Sequence, residues 1–284
     1  MKPRIGITLG DVVGIGPEIV AKALASHKLD RRFDYEVIGN PRTKRRADAA
    51  DWVVEGANRC LAGDLVALVT APISKQLLRD AGYRFEGHTE LLAHVAQTKR
   101  FAMMLVGGPL RVALVTIHVP IAEVSRLLSA RRIIEVIELS YDVCQRFGIR
   151  RPKIGVAGLN PHAGEGGLLG DEERRIIAPA VRGVARRFPG VSGPWPADTL
   201  FHKAYHGGFD AVVAMYHDQG LAPLKMIAFD SGVNLTLGLP FVRTSPDHGT
   251  AFDIAGKGIA NPASMIAAIN LAAKLTQRRK GAKL

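Results

Sequence analysis

Three of the nine histidines, His118, His162 and His217, stand one to three residues beyond an apolar run that reads as a buried strand. If those strands are parallel, their carboxyl ends share one edge, and histidines far apart in sequence can converge there. Three neutral imidazoles suit zinc or a similar late divalent ion, and three protein ligands leave a position open for a substrate hydroxyl. His248 competes as a fourth candidate. His27, His94, His202 and His206 lie in helical or polar contexts that suit a surface. The densest cluster follows Asp210-Ala211-Val212-Val213-Ala214 and spends His217, Asp218, Gln219 and Lys225 within ten residues. Its plain alternative is an ordinary loop with a capping Asp.

A second set of residues suits an anion. Lys225, Arg243 and Asn234, with the backbone of the glycine-rich turns, could grip a phosphate, although Lys and Arg near strand ends are often merely solvated. His88 and Thr89 open a helical pattern, where Thr89 is either an N-cap or a ligand contact. Gly164-x-Gly166 with Gly170 loosely resembles a dinucleotide loop, yet glycine is also what any tight strand-to-helix turn needs. The turn Gly10 to Pro17 could present backbone N–H groups to an anion or be a plain strand–helix turn. It is no dinucleotide fingerprint, because Ile19 stands where the third glycine belongs.

Such residues need elements to hold them. Strands are expected at 4–9, 34–39, 65–70, 153–159 and 210–214, with helices at 19–26, 48–61, 74–79, 130–146 and 262–274. This alternation predicts a mainly parallel, layered α/β fold. Phe101 to Val106 and Leu110 to Thr116, joined by Gly107-Gly108-Pro109, add an antiparallel pair. Another helix is expected to begin at Asp171-Glu172-Glu173.

Lys and Arg number 38 against 26 Asp and Glu, a net charge of +12, which favours anionic partners. The basic runs Arg42-Thr43-Lys44-Arg45-Arg46 and Arg278-Arg279-Lys280 lack interleaved aromatics, and no nucleic-acid-binding pattern accompanies them, so they read as solvated faces. No run of 18 apolar residues and no secretory leader is found, so no membrane contact is expected and the reading is cytoplasmic. Cys60 and Cys144 sit singly in helical patterns, which argues against disulfides and thiol catalysis.

GHTELL, TIHVP, LNPHAGEGG, PADTLF, AMYHDQGL, GVNLTLGLPFVRTS and DHGTA, in the family's order along nearly the whole chain, closely resemble the 4-hydroxythreonine-4-phosphate dehydrogenase family of vitamin B6 biosynthesis. The resemblance implies an isopropylmalate dehydrogenase-like fold with two α/β/α domains and a central cleft, mostly parallel sheets with some antiparallel strands. The first domain would comprise residues 1–110 plus 250–284, and the second residues 111–249, carrying most of the metal site and dimer contacts. It implies a divalent metal (Zn, Mg or Co) on His118, His162 and His217, and substrate contacts from His88, Thr89, Lys225, Asn234 and Arg243. Asp198 and Asp218 match acidic residues of the family's site. NAD or NADP would bind without the usual glycine signature, in a homodimer whose sites draw on both subunits.

The implied chemistry is oxidation of the secondary alcohol of a phosphorylated hydroxy acid, followed by decarboxylation of the β-keto acid. Family members carry a longer segment between the second strand and the helix near Asp48, where this chain has a short basic loop. Relatives acting on threonate or erythronate 4-phosphate, or on an aromatic dihydrodiol, are alternatives. Two rivals lie outside this chemistry: a metallohydrolase that activates water on the histidines, and a phosphometabolite-binding protein without catalysis.

Overall fold

The computed structural model describes residues 2–43, 45–85 and 87–277. In chain order its elements are β1 (Arg4–Thr8), α1 (Gly16–Ala25), β2 (Asp34–Ile38), α2 (Asp48–Ala62), β3 (Ala67–Thr70), α3 (Lys75–Asp80) and α4 (His88–Val95). There follow β4 (Ala102–Gly107), β5 (Leu110–Leu114), α5 (Ile121–Leu127), α6 (Ala130–Arg146), β6 (Ile154–Ala157), α7 (Ala178–Ala185), β7 (Val191–Trp195) and α8 (Ala197–Tyr205). The last are β8 (Ala211–Ala214), α9 (His217–Ala228), β9 (Val233–Leu237), β10 (Val242–Pro246) and α10 (Ala263–Gln277). A 3-10 turn, Pro161–Gly167, and a π-helical turn, Glu173–Ile177, precede α7.

The elements form where local signals predict them. In α6, Ile133, Val136, Ile137, Ser140, Val143 and Cys144 recur at helical spacing and are buried. Ser129 caps this helix, its hydroxyl accepting the Arg132 N–H at 3.2 Å. β3, β6 and β8 are buried along their whole length, the mark of strands covered on both faces.

Two compact units result, one from the residues up to Lys99 with those from Asp230 on, the other Arg100–Phe229. The boundaries lie at 99/100 and 229/230 rather than at the expected 110 and 249. Pairing explains both shifts: β4 stays with its antiparallel partner β5, and β9 and β10 join β3. Within the first unit the strand order is β2-β1-β3-β10-β9, parallel except for β9. Within Arg100–Phe229 it is β4-β5-β8-β6-β7, parallel except for β4. The mixed, mainly parallel α/β architecture is therefore as anticipated.

Each unit has its own core. Val53, Ala57, Leu68, Leu91 and Phe241 pack in the first, and Leu105, Val112, Leu200, Val212 and Leu224 in the second. Truncating one of these buried leucines to alanine costs about 2–5 kcal/mol. Cys60 and Cys144 are free and buried, and burial pushes both thiols up to about 12, which leaves them unreactive.

β7, β9 and β10 are not among the expected strands, although β9 (VNLTL) alternates apolar and polar residues. β7 (VSGPW) contains Gly and Pro, tolerated because it is an outermost strand. β10 buries Arg243, Thr244 and Ser245, so its polarity hides a strand that is covered throughout. Part of the basic loop is structural rather than a free surface, since Arg46 reaches back to the fully buried Asp11 with contacts of 2.5 and 3.2 Å. Lys44 and Arg278-Arg279-Lys280 lie outside the described residues. Among the described residues no helix is long and apolar enough to cross a membrane.

Candidate active site

β5 and β8 run side by side in parallel, with Leu114 opposite Ala214. The ladder continues past both strands, because Val115 N–H donates to Ala214 O, and Thr116 donates to Met215 O from both its N–H and its hydroxyl. His118 and His217 therefore emerge together, with ring centroids 5.6 Å apart and planes tilted by 42°. Two imidazoles bound through nitrogen to one tetrahedral ion at about 2.1 Å would have centroids roughly 5 Å apart, so the pair fits a shared cation. His217 Nδ1 lies 2.6 Å from Asp218 Oδ1, which directs the other ring nitrogen outward. Both histidines line a hollow of about 240 Å³ with Ile121, Val124, Tyr216 and Asp218.

His162 stands differently. It is exposed, and it begins five successive left-handed residues, with φ of 51° at His162, 53° at Ala163, 80° at Gly164, 45° at Glu165 and 68° at Gly166. Among the described residues no group of three or more His, Cys, Asp or Glu is placed to hold a metal. One chain thus pairs His118 with His217 and does not gather His162 to them. Asp198 is exposed in the first turn of α8 and accepts the Thr199 N–H at 2.7 Å. For a dinucleotide, the turn holding Gly164 and Gly166 is a poor fit. A Cβ on Gly164 would lie 2.6 Å from Glu173 Oε2, so a carboxylate fills the place where a pyrophosphate would need donors.

The anion candidates cluster in the first unit. Arg243 is 1% exposed, and its Nη1 and Nη2 donate to the hydroxyls of Thr236 at 3.0 Å and Thr70 at 2.5 Å. Its Nε has no partner, and no carboxylate among the described residues pairs with it. Burial pulls its pKa down to about 9, with Glu90 opposing. His88 stands at the start of α4, and burial, then the nearby Arg243 charge, hold its pKa well below the usual value. That ring is neutral at physiological pH, and its Nε2 is buried without a partner. Asn234 Oδ1 in β9 is equally unmatched. Buried polar atoms are normally satisfied. A cation and two neutral groups left with open valences in one unit suit an anion carrying hydroxyls. Thr89 is 3% exposed and is not the N-cap, a position held by Gly87. Lys225 lies in the other unit on α9, its ammonium 5.9 Å from the Phe229 ring centroid.

Residues 17–272 match the family described as pyridoxal phosphate biosynthetic protein PdxA. The chain belongs to the PdxA family. It is 44% identical over 326 residues to a 4-hydroxythreonine-4-phosphate dehydrogenase of Geobacter metallireducens, covering 97% of this chain and 96% of that protein. The aligned span exceeds the 284 residues of this chain, so that relative has segments without a counterpart here. A D-threonate 4-phosphate dehydrogenase of Cupriavidus necator is 41% identical over 328 residues, with 98% of both chains covered. The crystal structure of a 4-hydroxythreonine-4-phosphate dehydrogenase from Klebsiella pneumoniae superposes with a TM-score of 0.88 at 39% identity, covering 98% of this chain and 99% of that one. A β-decarboxylating dehydrogenase from Thermococcus kodakarensis, 17% identical with a TM-score of 0.52, shares the fold alone. PdxA membership makes this chain an oxidoreductase of the dehydrogenase type.

Four side chains shape these places through contacts that the sequence does not show. Thr236 lies directly opposite Arg243 across β9 and β10, and Thr70 ends β3, so their role depends on pairings that only the fold supplies. Gln219 accepts the Met215 N–H through Oε1 and donates to Gly158 O through Nε2, both at 2.7 Å, linking the segment before His217 to the segment before His162. Glu173 is the fourth.

Proposed function

We propose that this protein oxidises the secondary alcohol of a phosphorylated hydroxy acid resembling 4-phosphohydroxy-L-threonine, with NAD or NADP as acceptor, and that the β-keto acid product loses CO₂. The observation that carries the reading is the buried guanidinium of Arg243, unpaired by any carboxylate among the described residues, in a member of the PdxA family. A desolvated cation waiting for a charge is what a phosphate site requires. Neutral His88 with Thr89 and Asn234 supplies hydrogen bonds rather than a second charge, and Lys225 is a further candidate for a substrate contact as a point charge.

A divalent cation (Zn, Mg or Co), when bound, would polarise the reacting hydroxyl and stabilise the enolate left by decarboxylation, while the nicotinamide takes the hydride. His118 and His217 are the residues of one chain fitted to hold that cation, and His162 is the third ligand. Asp218 keeps the His217 ring in the tautomer that leaves Nε2 free to ligate. Asp198 and Asp218 are the carboxylates proposed to orient water or move the hydroxyl proton.

Completion of the site calls for a second copy of this chain, a homodimer with active sites at the subunit interface. Leu168 is 84% exposed on the His162 loop, and Met226 and Phe229 on or next to α9 are 82% and 76% exposed, an apolar display that suits burial against another subunit.

NAD(P)H absorbance decides the reading. Purified protein with a divalent cation and 4-phosphohydroxy-L-threonine, D-threonate 4-phosphate or D-erythronate 4-phosphate should reduce the nicotinamide, and the dephosphorylated acids should be far poorer substrates. Release of phosphate or water addition without nicotinamide reduction would favour a hydrolase. Equal rates with and without the phosphate would favour a dihydrodiol-type substrate.

A further inference from the structure

The backbone from His162 to Gly166 is left-handed at every residue, and His162, Ala163 and Glu165 are not glycine. Such a conformation costs roughly 1–2 kcal/mol for each residue bearing a Cβ, and it normally occurs singly. Something must hold this run in place. Backbone bonds contribute, from Ala163 N–H to Asn160 O and from Leu169 N–H to Gly164 O, both at 3.1 Å, and a buried side chain packed against the run is Glu173, which is 5% exposed. Its Oε1 accepts the N–H groups of Leu159 at 2.7 Å and Asn160 at 2.8 Å, and its Oε2 accepts from Asn160 Nδ2 at 3.0 Å. The same Nδ2 donates to Glu172 Oε2 at 2.7 Å, and Ser125 donates to Glu172 Oε1 at 2.5 Å. Two glycines make room for the carboxylate: a Cβ on Gly164 would meet Oε2 at 2.6 Å, and one on Gly158 would meet Oε1 at 3.1 Å.

This is not a helix capping itself, because the donors belong to the segment before the turn and Glu173 opens the π-helical turn Glu173–Ile177. The wider turn alters the side chain's heading, as such turns do near functional sites. No Lys or Arg among the described residues pairs with Glu173. Its charge is therefore met by the amides of the loop. Gln219 grips the same segment from the other side through Gly158 O.

We propose that Glu173 is a positioning residue for His162: its buried carboxylate fixes the Leu159–Asn160 amides and so holds the left-handed turn that presents the imidazole. This rests on the reading of His162 as a cation ligand. Partners that orient ligands typically account for 10–100-fold in metal affinity.

The test uses the full chain, with Zn²⁺ affinity measured by chelator competition and amide exchange followed across residues 159–166. All variants carry His202→Ala, because the exposed pair His202 and His206, with ring centroids 4.6 Å apart, would take up zinc by itself. Glu173→Gln should weaken Zn²⁺ binding about 10–100-fold and speed exchange in this segment while the melting transition stays single. Glu173→Asp, which draws the carboxylate back from the Leu159 and Asn160 amides without altering any left-handed residue, should act in the same direction and serves if Glu173→Gln does not fold. Weakened binding in His162→Ala together with wild-type affinity in Glu173→Gln and Glu173→Asp overturns the positioning role. Wild-type affinity in His162→Ala overturns it by a different route, by removing the ligand reading on which it stands.

Discussion

Arg243 and His162 are held in contrasting ways. The guanidinium is 1% exposed, held by two threonine hydroxyls on a paired strand, and leaves one donor unmatched. The imidazole is exposed on a left-handed turn whose geometry is imposed by a glutamate outside it. Rigid, interior placement fixes Arg243 within one chain, because the strand pairing that positions it is also the sheet itself. Placement on an exposed turn would leave a cation site proposed at His162 dependent on contacts beyond the turn. Recognition of the charged end and chemistry at the hydroxyl are thus expected to fail in different ways when damaged.

The largest effect is expected at the cation site. His217→Ala should abolish cation-dependent turnover, a loss on the order of 1,000-fold or more, since removing one imidazole of three leaves an incomplete shell. Full turnover in that variant after chelator treatment would end the metal mechanism. Arg243→Ala tests the other side. The substrate phosphate is remote from the reacting carbon, so the variant should chiefly raise KM and lower kcat/KM roughly 10- to 150-fold, the equivalent of a lost charged hydrogen bond. The dephosphorylated substrate should be nearly indifferent, and equal losses for both would show that this cradle does not read phosphate.

Asp218→Asn should reduce cation affinity about tenfold, because the neutral amide orients His217 less strongly than the carboxylate 2.6 Å away. An unchanged affinity would make the contact incidental. The smallest effect concerns pH. His88 is buried with its pKa held well below the usual value, so below about pH 6.5 the unfolded chain binds a proton that the folded state refuses. That group's stability contribution is fully present above the unfolded pKa and is lost as pH falls toward the folded one. His88→Gln should therefore lose less melting temperature than the wild type between pH 7 and pH 5. Parallel losses would mean that His88 accepts a proton freely in the fold.

Much of this is readable from residue order alone, because the apolar runs of β3, β6 and β8 are long enough and uniform enough to demand burial on both faces. With β5 parallel to β8, His118 and His217 leave the sheet at the same edge, and the described structure brings them together, whereas the left-handed turn after β6 keeps His162 from joining them. The motifs identify the family for a related reason: their side chains are constrained by chemistry, not by packing that many residues could satisfy. Asn234 and Arg243 could be named in this way; β9 (VNLTL) alternates apolar and polar residues as a strand does, whereas β10 hides its strand because the polar residues it carries are buried.

Tertiary structure alone decided the rest. It placed Thr236 opposite Arg243 and Thr70 beside it, turning a strand-end cation into a desolvated one. It set the unit boundaries beside β4 and β9, where antiparallel partners hold together. It also brought the Glu173 carboxylate beneath Gly164 and onto the Asn160 amide, thirteen residues away along the chain. None of these follows from periodicity or composition, because a hydrogen bond across a sheet or beneath a turn depends on register and direction, which neighbouring residues in sequence do not encode.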